Sequence, residues 1–376
     1  MEFGWTTDQE RRYADTLAAA RAAFDGVPSA PGGPKPWLRL ADLGLLGASV
    51  PTRYGGGGLG ALDTARLLEA VGRGCPDTGL VFAASAHLFA CAMPIAEFGS
   101  EELRQRLLPR MCGGELVAAN AMTEAEAGSD VSRLAVTATP VDGGYLLNGT
   151  KTFVSNGPVA DVYVTYATTD PQAGHLGSTG FVVDRDTPGL TPGEPFDKLG
   201  MTSCQAGTVT FEDCFVPAGN VLGEPGQGAA IFQHSMGWER TCLFALFLGL
   251  QEALVERVVA HVRQRRQFGR RLADFQAVSH RIVDMKLRLE SGRLLLYRAC
   301  WAMDTDEHPV LFSALSKLAV SESALASAVD AVKLLGGQGY LREGGVEAAL
   351  RDAMGATIFS GTSDIQRQLV AVELGL

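Results

Sequence analysis

The chain changes texture twice along its length. Up to about residue 115 apolar positions recur at helical spacing: Asp15–Phe24 is Ala-rich, and Leu62–Val71 continues that period after a glycine cluster. From about 116 to 222, short runs rich in Val, Thr, Tyr and Phe alternate with turn pairs: Asp142-Gly143, Asn148-Gly149, Asn156-Gly157, Gly189-Leu190 and Pro192-Gly193. Strand-forming runs separated by such pairs predict a small antiparallel barrel or sandwich. Helical periodicity then returns over 237–264, 275–303, 310–335 and 345–374, the pattern of helices that bury apolar stripes against one another. The chain therefore reads as an α+β protein of three units. These are an N-terminal helical domain (1–115), a middle β-barrel domain (116–222) and a C-terminal helical bundle (223–376).

Composition narrows the function classes. With 376 residues, 46% hydrophobic and 20% charged, the chain has the make-up of a globular protein of more than one unit rather than a disordered one. A net charge of −10 argues against nucleic acid or an anionic membrane as partner. The apolar run Cys242–Leu250 is too short to cross a bilayer, and no signal-peptide pattern opens the sequence. Seven cysteines, an odd and scattered set without a C-x-x-C pair, predict reduced thiols and a cytoplasmic protein. The histidines show no i, i+4 pairing, so no metal site is expected. The glycine cluster Gly55–Gly60 lacks the Gly-Lys-Ser/Thr ending of a P-loop and reads as a connection.

Short motifs carry the rest. The first unit has Leu43-Gly44-Leu45-Leu46-Gly47 and Pro51-Thr52-Arg53-Tyr54-Gly55-Gly56. The second opens with Ala121-Met122-Thr123-Glu124-Ala125-Glu126-Ala127-Gly128-Ser129-Asp130 and continues through Asn148-Gly149-Thr150-Lys151-Thr152-Phe153-Val154-Ser155-Asn156-Gly157. The third has Arg265-Arg266-Gln267-Phe268-Gly269, Phe275-Gln276, Gly336-Gly337-Gln338-Gly339-Tyr340 and Ser360-Gly361-Thr362-Ser363. In this order and at these separations, they resemble the acyl-CoA dehydrogenase family over nearly the whole chain.

The resemblance implies FAD as cofactor, α,β-dehydrogenation of an acyl thioester, and a homo-oligomer, tetramer or dimer, in which helices reach the neighbour's cofactor. Met122 and Thr123 are then expected at the edge of the flavin ring, Gly128 and Ser129 at its pyrophosphate, and Phe153 and Ser155 over one ring face. Arg265, Phe268, Gln276, Lys333, Gly336, Gly337, Thr362 and Asp364 complete the cofactor set, several of them across a subunit interface. Three of these depart from the usual family residue: Phe153 stands where Trp is common, and Lys333 and Asp364 where Gln is common. Each also has a local reading, such as a turn at Gly128-Ser129 or a helix stop at Gly336-Gly337, which their joint occurrence outweighs.

The sharpest departure is Ser360. The family usually carries its catalytic Glu directly before Gly-Thr-Ser, and a serine hydroxyl cannot take an α-proton. A minority, including isovaleryl- and long-chain-type members, carries the base where Glu239 stands here, beside an arginine that matches Arg240. The resemblance thus makes Glu239 the base, expected in the first turn of the helix 237–264, stabilised by its dipole and raised in pKa by a dry site. Arg240, Ser360, Phe359 and Ser129 are the expected substrate contacts. The substrate is an acyl or aminoacyl thioester on CoA or a carrier protein, short, branched or cyclic, with electron-transfer flavoprotein or O₂ as acceptor. Two other readings stay open at this point. One is a flavin monooxygenase on the same fold, which needs no α-proton base; the other is a non-catalytic partner subunit.

Overall fold

The computed structural model describes residues 5–26 and 34–376. Helices Thr7–Phe24, Ala61–Gly74, Thr78–His87 and Glu101–Cys112 make most of the first unit. Their starts are written locally. Thr6 and Gln9 form a capping box, Asp77 accepts from the Leu80 N–H at 3.0 Å, and Ser100 accepts from the Leu103 N–H at 3.3 Å. Helix Thr78–His87 continues through a π-helical turn, Leu88–Ala92, into Met93–Phe98. This segment, rather than Cys242–Leu250, is long and apolar enough to cross a membrane. Yet 94% of its most apolar stretch is buried inside the protein, which makes it a core helix.

Eight strands follow: β1 (Ala118–Ala121), β2 (Thr137–Val141), β3 (Gly144–Ser155), β4 (Val162–Thr168), β5 (Ser178–Asp184), β6 (Leu190–Pro192), β7 (Ala206–Pro217) and β8 (Val221–Leu222). They are ordered β6-β7-β3-β2-β4-β5-β8, with β1 added beside β4. Most pairings are antiparallel, but β1 runs parallel to β4, and β2 touches β4 in the same sense. Asp142-Gly143 is the hairpin turn between β2 and β3. Asn148-Gly149 is not a turn. It lies inside the twelve-residue β3, where the register against β7 shifts between Leu147 and Gly149, and Gly149 takes φ 129°. A glycine inside a strand often marks such a bulge. One apolar cluster, with Tyr163, Phe181 and Phe211, fills the sheet, and a second unites the helices before and after it.

The last unit begins with Gly228–Trp238, which passes through a second π-helical turn, Glu239–Leu243, into Ala245–Gln264. The helices Gln276–Thr305 and Pro309–Leu335 pack beside it. The single helix expected over 345–374 is two, Val346–Ala356 and Ser363–Glu373. The chain breaks between them because Ser360 and Gly361 adopt φ 53° and 87°, and Thr362 caps the next helix by accepting from the Ile365 N–H at 3.2 Å.

Candidate active site

Glu239 opens the second π-helical turn, eleven residues after its helix begins at Gly228. The dipole argument for this carboxylate therefore fails, since the effect fades beyond the first turn. Burial decides its state instead. Glu239 is 8% exposed, and loss of solvent pushes its pKa up to about 7, against the opposing pull of the Ser360 hydroxyl and the Arg240 charge. π-helical turns are rare and frequent at functional sites, and the first one, Leu88–Ala92, packs against this one.

Ser360 is brought to Glu239 by the break between the last two helices. Its hydroxyl donates to Glu239 Oε2. Its own carbonyl accepts from Arg240 Nε at 3.1 Å and from Gln366 Nε2 at 3.3 Å, and Gln366 also holds the Gly361 carbonyl at 3.0 Å. Arg240 thus secures the Ser360 loop, a task the sequence did not assign to it. Gln366 was missed as well; it is a fully buried amide on the final helix, with no signal beyond its place in the motif.

These groups face a cavity of about 360 Å³ between the sheet and the helices. Met122, Thr123, Gly128, Ser129, Phe153 and Ser155 line it, as do Glu239, Arg240, Phe359 and Ser360. Phe359 meets Phe82 with ring centroids 4.5 Å apart and is backed by Phe244 and Phe247 at 5.5 and 6.1 Å. This aromatic wall is rigid, because both backing rings are fully buried.

The loop carrying Gly128 and Ser129 has its own anchor. Glu124, 5% exposed, accepts from the Ala135 and Val136 N–H groups at 2.6 and 3.1 Å. Lys151, fully buried on β3, pairs with Glu124 at 2.7 Å and donates to the Met122 carbonyl at 3.1 Å. Burial lowers the Lys151 pKa to about 8, with the Glu124 charge opposing. Both residues belong to the motifs of the middle unit, and neither has a role readable from the sequence. A lysine is normally exposed, so strand pattern alone gives no hint of this pair.

A second group of expected cofactor residues lies elsewhere. Arg265, Lys333, Gly336 and Gly337 line a separate cleft of about 540 Å³ on the last unit. Gly336, at φ 62°, ends the helix Pro309–Leu335, so the helix-stop reading and the cleft position coexist. Phe268 and Gly269 form the tip of a hairpin pairing Arg266–Gln267 with Arg270–Arg271, and Phe268 is 92% exposed. Gln276 starts the following helix beside this cleft, whose lining includes Ala277. Thr362 serves as the helix cap, and Asp364 is exposed and paired with Arg367 at 3.0 Å.

Comparison with known proteins assigns this arrangement. The acyl-CoA dehydrogenase N-terminal, middle and C-terminal domains match residues 9–115, 119–214 and 226–375. The chain belongs to the acyl-CoA dehydrogenase family. It is 53% identical over 380 residues to an L-prolyl-(peptidyl-carrier protein) dehydrogenase of Pseudomonas fluorescens, covering 100% of both chains. It is 36% identical to the mitochondrial isovaleryl-CoA dehydrogenase of Oryza sativa, covering 96% of this chain and 88% of the relative. A solved structure of PigA with FAD and proline superposes with a TM-score of 0.97 at 41% identity, covering 100% of each chain.

FAD is the family's cofactor, and the residues present fit it. Phe153, held at φ 53°, is 69% exposed at the cavity wall, its ring beside that of Phe196 with centroids 5.4 Å apart. At Gly128, Gly336 and Gly337 the space where a Cβ would stand is open, which leaves the backbone approachable.

Proposed function

We propose that the chain is an FAD-dependent dehydrogenase that oxidises a small cyclic aminoacyl thioester, prolyl foremost, carried on a carrier protein. Glu239 is its base. The observation that carries this reading is a buried carboxyl with a pKa near 7, in the same cavity as the cofactor-lining residues and in contact with Ser360. A base poised near working pH combines the right protonation state with driving force for proton transfer. The prolyl-carrier dehydrogenase and PigA relatives support the substrate class, and the Phe82–Phe359 wall suits a short, compact acyl group.

In the reaction Glu239 takes the α-proton as H⁺, and the β-hydrogen leaves with its electron pair, giving the α,β-unsaturated thioester. Bound FAD supplies the acceptor for that pair. Met122, Thr123, Gly128, Ser129, Phe153 and Ser155 hold the cofactor within one chain. The Arg240–Ser360–Gln366 bonds keep the Ser360 hydroxyl on Glu239 and fix the carboxyl's orientation. The aromatic wall excludes water from the α-carbon.

Arg265, Phe268, Gln276, Lys333, Gly336 and Gly337 serve the cofactor of a second copy, so the active form is a dimer or tetramer. The exposed Phe268 tip and the cationic cleft beside it support this assignment. Electrons pass on to electron-transfer flavoprotein or O₂. The seven free, buried thiols fit a reducing compartment, the cytoplasm.

Anaerobic mixing of the holoenzyme with prolyl-carrier protein, prolyl-CoA and isovaleryl-CoA tests the reading. Rapid bleaching of the flavin by the prolyl-carrier thioester is expected. No bleaching by any thioester would overturn it.

A further inference from the structure

Asn120 breaks the pattern of its own strand. Along β1, Ala119 and Ala121 point into the sheet's apolar interior, while Ala118 and Met122 belong to the core shared with the helices. Alternation puts residue 120 on that second face, where β1 packs against the π-helical turn Leu88–Ala92. An apolar residue is what this position calls for. The chain instead places an amide there, at the wall of the cavity holding Glu239, and its buried Oδ1 accepts no hydrogen bond.

Buried acceptors are nearly always satisfied, and one left bare costs free energy comparable to a lost hydrogen bond. A ligand that brings a donor removes that cost. Among the described residues lining this cavity, Asn120 Oδ1 is the buried side-chain oxygen left without a partner. The lining mixes apolar side chains, Phe82, Ala86, Ala90 and Phe232 among them, with hydroxyls and amides such as Thr123, Ser129, Ser155, Gln233 and Gln368, and its charged residues are Glu239 and Arg240. Glu239 is engaged by Ser360 and is needed for the α-proton. A plain acyl thioester has no donor on its α- or β-carbon. An α-aminoacyl thioester has one, the N–H on the α-carbon.

We propose that Asn120 is the substrate-selecting residue, its Oδ1 accepting the amine N–H of an α-aminoacyl thioester such as prolyl. This rests on the dehydrogenase reading above and adds to it a reason for choosing amino-substituted acyl groups. A site built to bond a substrate N–H rejects an analogue lacking it, because the acceptor then stays unpaired.

The test compares prolyl and cyclopentanecarbonyl thioesters on the same carrier protein, rings of one size that differ in the N–H. Anaerobic flavin reduction is measured with the holoenzyme, Asn120→Leu and Asn120→Asp, together with FAD content and flavin spectrum. The parent is expected to prefer prolyl by about 10- to 100-fold, the range set by one unpaired buried acceptor. Asn120→Leu, close in shape, should erase that preference chiefly through KM for prolyl, leaving the cyclopentanecarbonyl rate unchanged or raised. Asn120→Asp, which keeps an acceptor, should retain it. Equal loss on both thioesters, or loss of FAD or a changed flavin spectrum in Asn120→Leu, would assign the oxygen to the cofactor or the fold and overturn the proposal. A parent that bleaches with both thioesters equally would also overturn it while leaving the dehydrogenase reading intact. A parent that bleaches with neither defeats that reading instead.

Discussion

Two glutamates are buried to almost the same degree, Glu124 at 5% and Glu239 at 8% exposed, and they live in opposite surroundings. Glu124 meets a lysine ammonium at 2.7 Å and two backbone N–H groups. Glu239 meets one hydroxyl, and the adjacent Arg240 turns its Nε to the Ser360 carbonyl. Its pKa rises to about 7. The first anchors the loop Ala125–Arg133 through these bonds; the second is the carboxyl proposed as the base. Burial raises the Glu239 carboxyl, and the few donors around it leave most of that rise uncancelled.

Removing each function should separate the two. Glu239→Gln is expected to slow anaerobic flavin reduction by about 10²–10⁴-fold with little loss of FAD, within the range of a positioned base. Stopped-flow absorbance reads this directly, and an unchanged rate would move the base elsewhere.

Lys151→Met attacks the other glutamate by leaving its charge unpaired. Breaking a buried pair this way costs about 3–5 kcal/mol, visible as a lower denaturation midpoint and weaker FAD retention. A variant as stable as the parent would mean that the pair contributes nothing beyond its own desolvation.

pH sharpens the contrast. As the proposed base, Glu239 acts only when ionised, so the rate of flavin reduction should climb with pH and level off above about 7. Stability runs the other way. A carboxyl whose folded pKa lies above its unfolded value stabilises the fold at low pH, and that contribution is lost as pH rises through about 7. Glu239→Gln should remove this loss, worth up to roughly 3 kcal/mol for a shift of this size. Equal slopes of stability against pH for variant and parent would contradict the assignment.

The smallest effect is expected from Ser360→Ala. Its hydroxyl opposes the upward shift of Glu239, so without it the acid limb of the rate profile should move to higher pH, by about one unit or less. A limb that stays put would reduce Ser360 to a spacer.

Much of this molecule is legible in its sequence because it is local. Helical period, turn pairs and caps such as Asp77 and Ser100 depend on neighbours in the chain, and the helix–sheet–helix order follows from them. The errors fell where distant contacts override local rules. Asn148-Gly149 reads as a turn, but pairing with β7 makes it a bulge. The helix expected over 345–374 has no proline to stop it, and the left-handed backbone at Ser360 and Gly361 breaks it. Lys151 looks like any surface lysine until Glu124 is folded over it.

The sequence by itself determined the three-part architecture, the membership of the family and the serine that stands before Gly361-Thr362-Ser363, since each is a matter of residue order and period. The meeting of Ser360 with Glu239 across 120 residues was decided by tertiary structure, as were the pKa of that carboxyl and the bare oxygen of Asn120. These depend on which groups exclude water from which others, and solvent exclusion is a property of packed elements, not of any segment of chain.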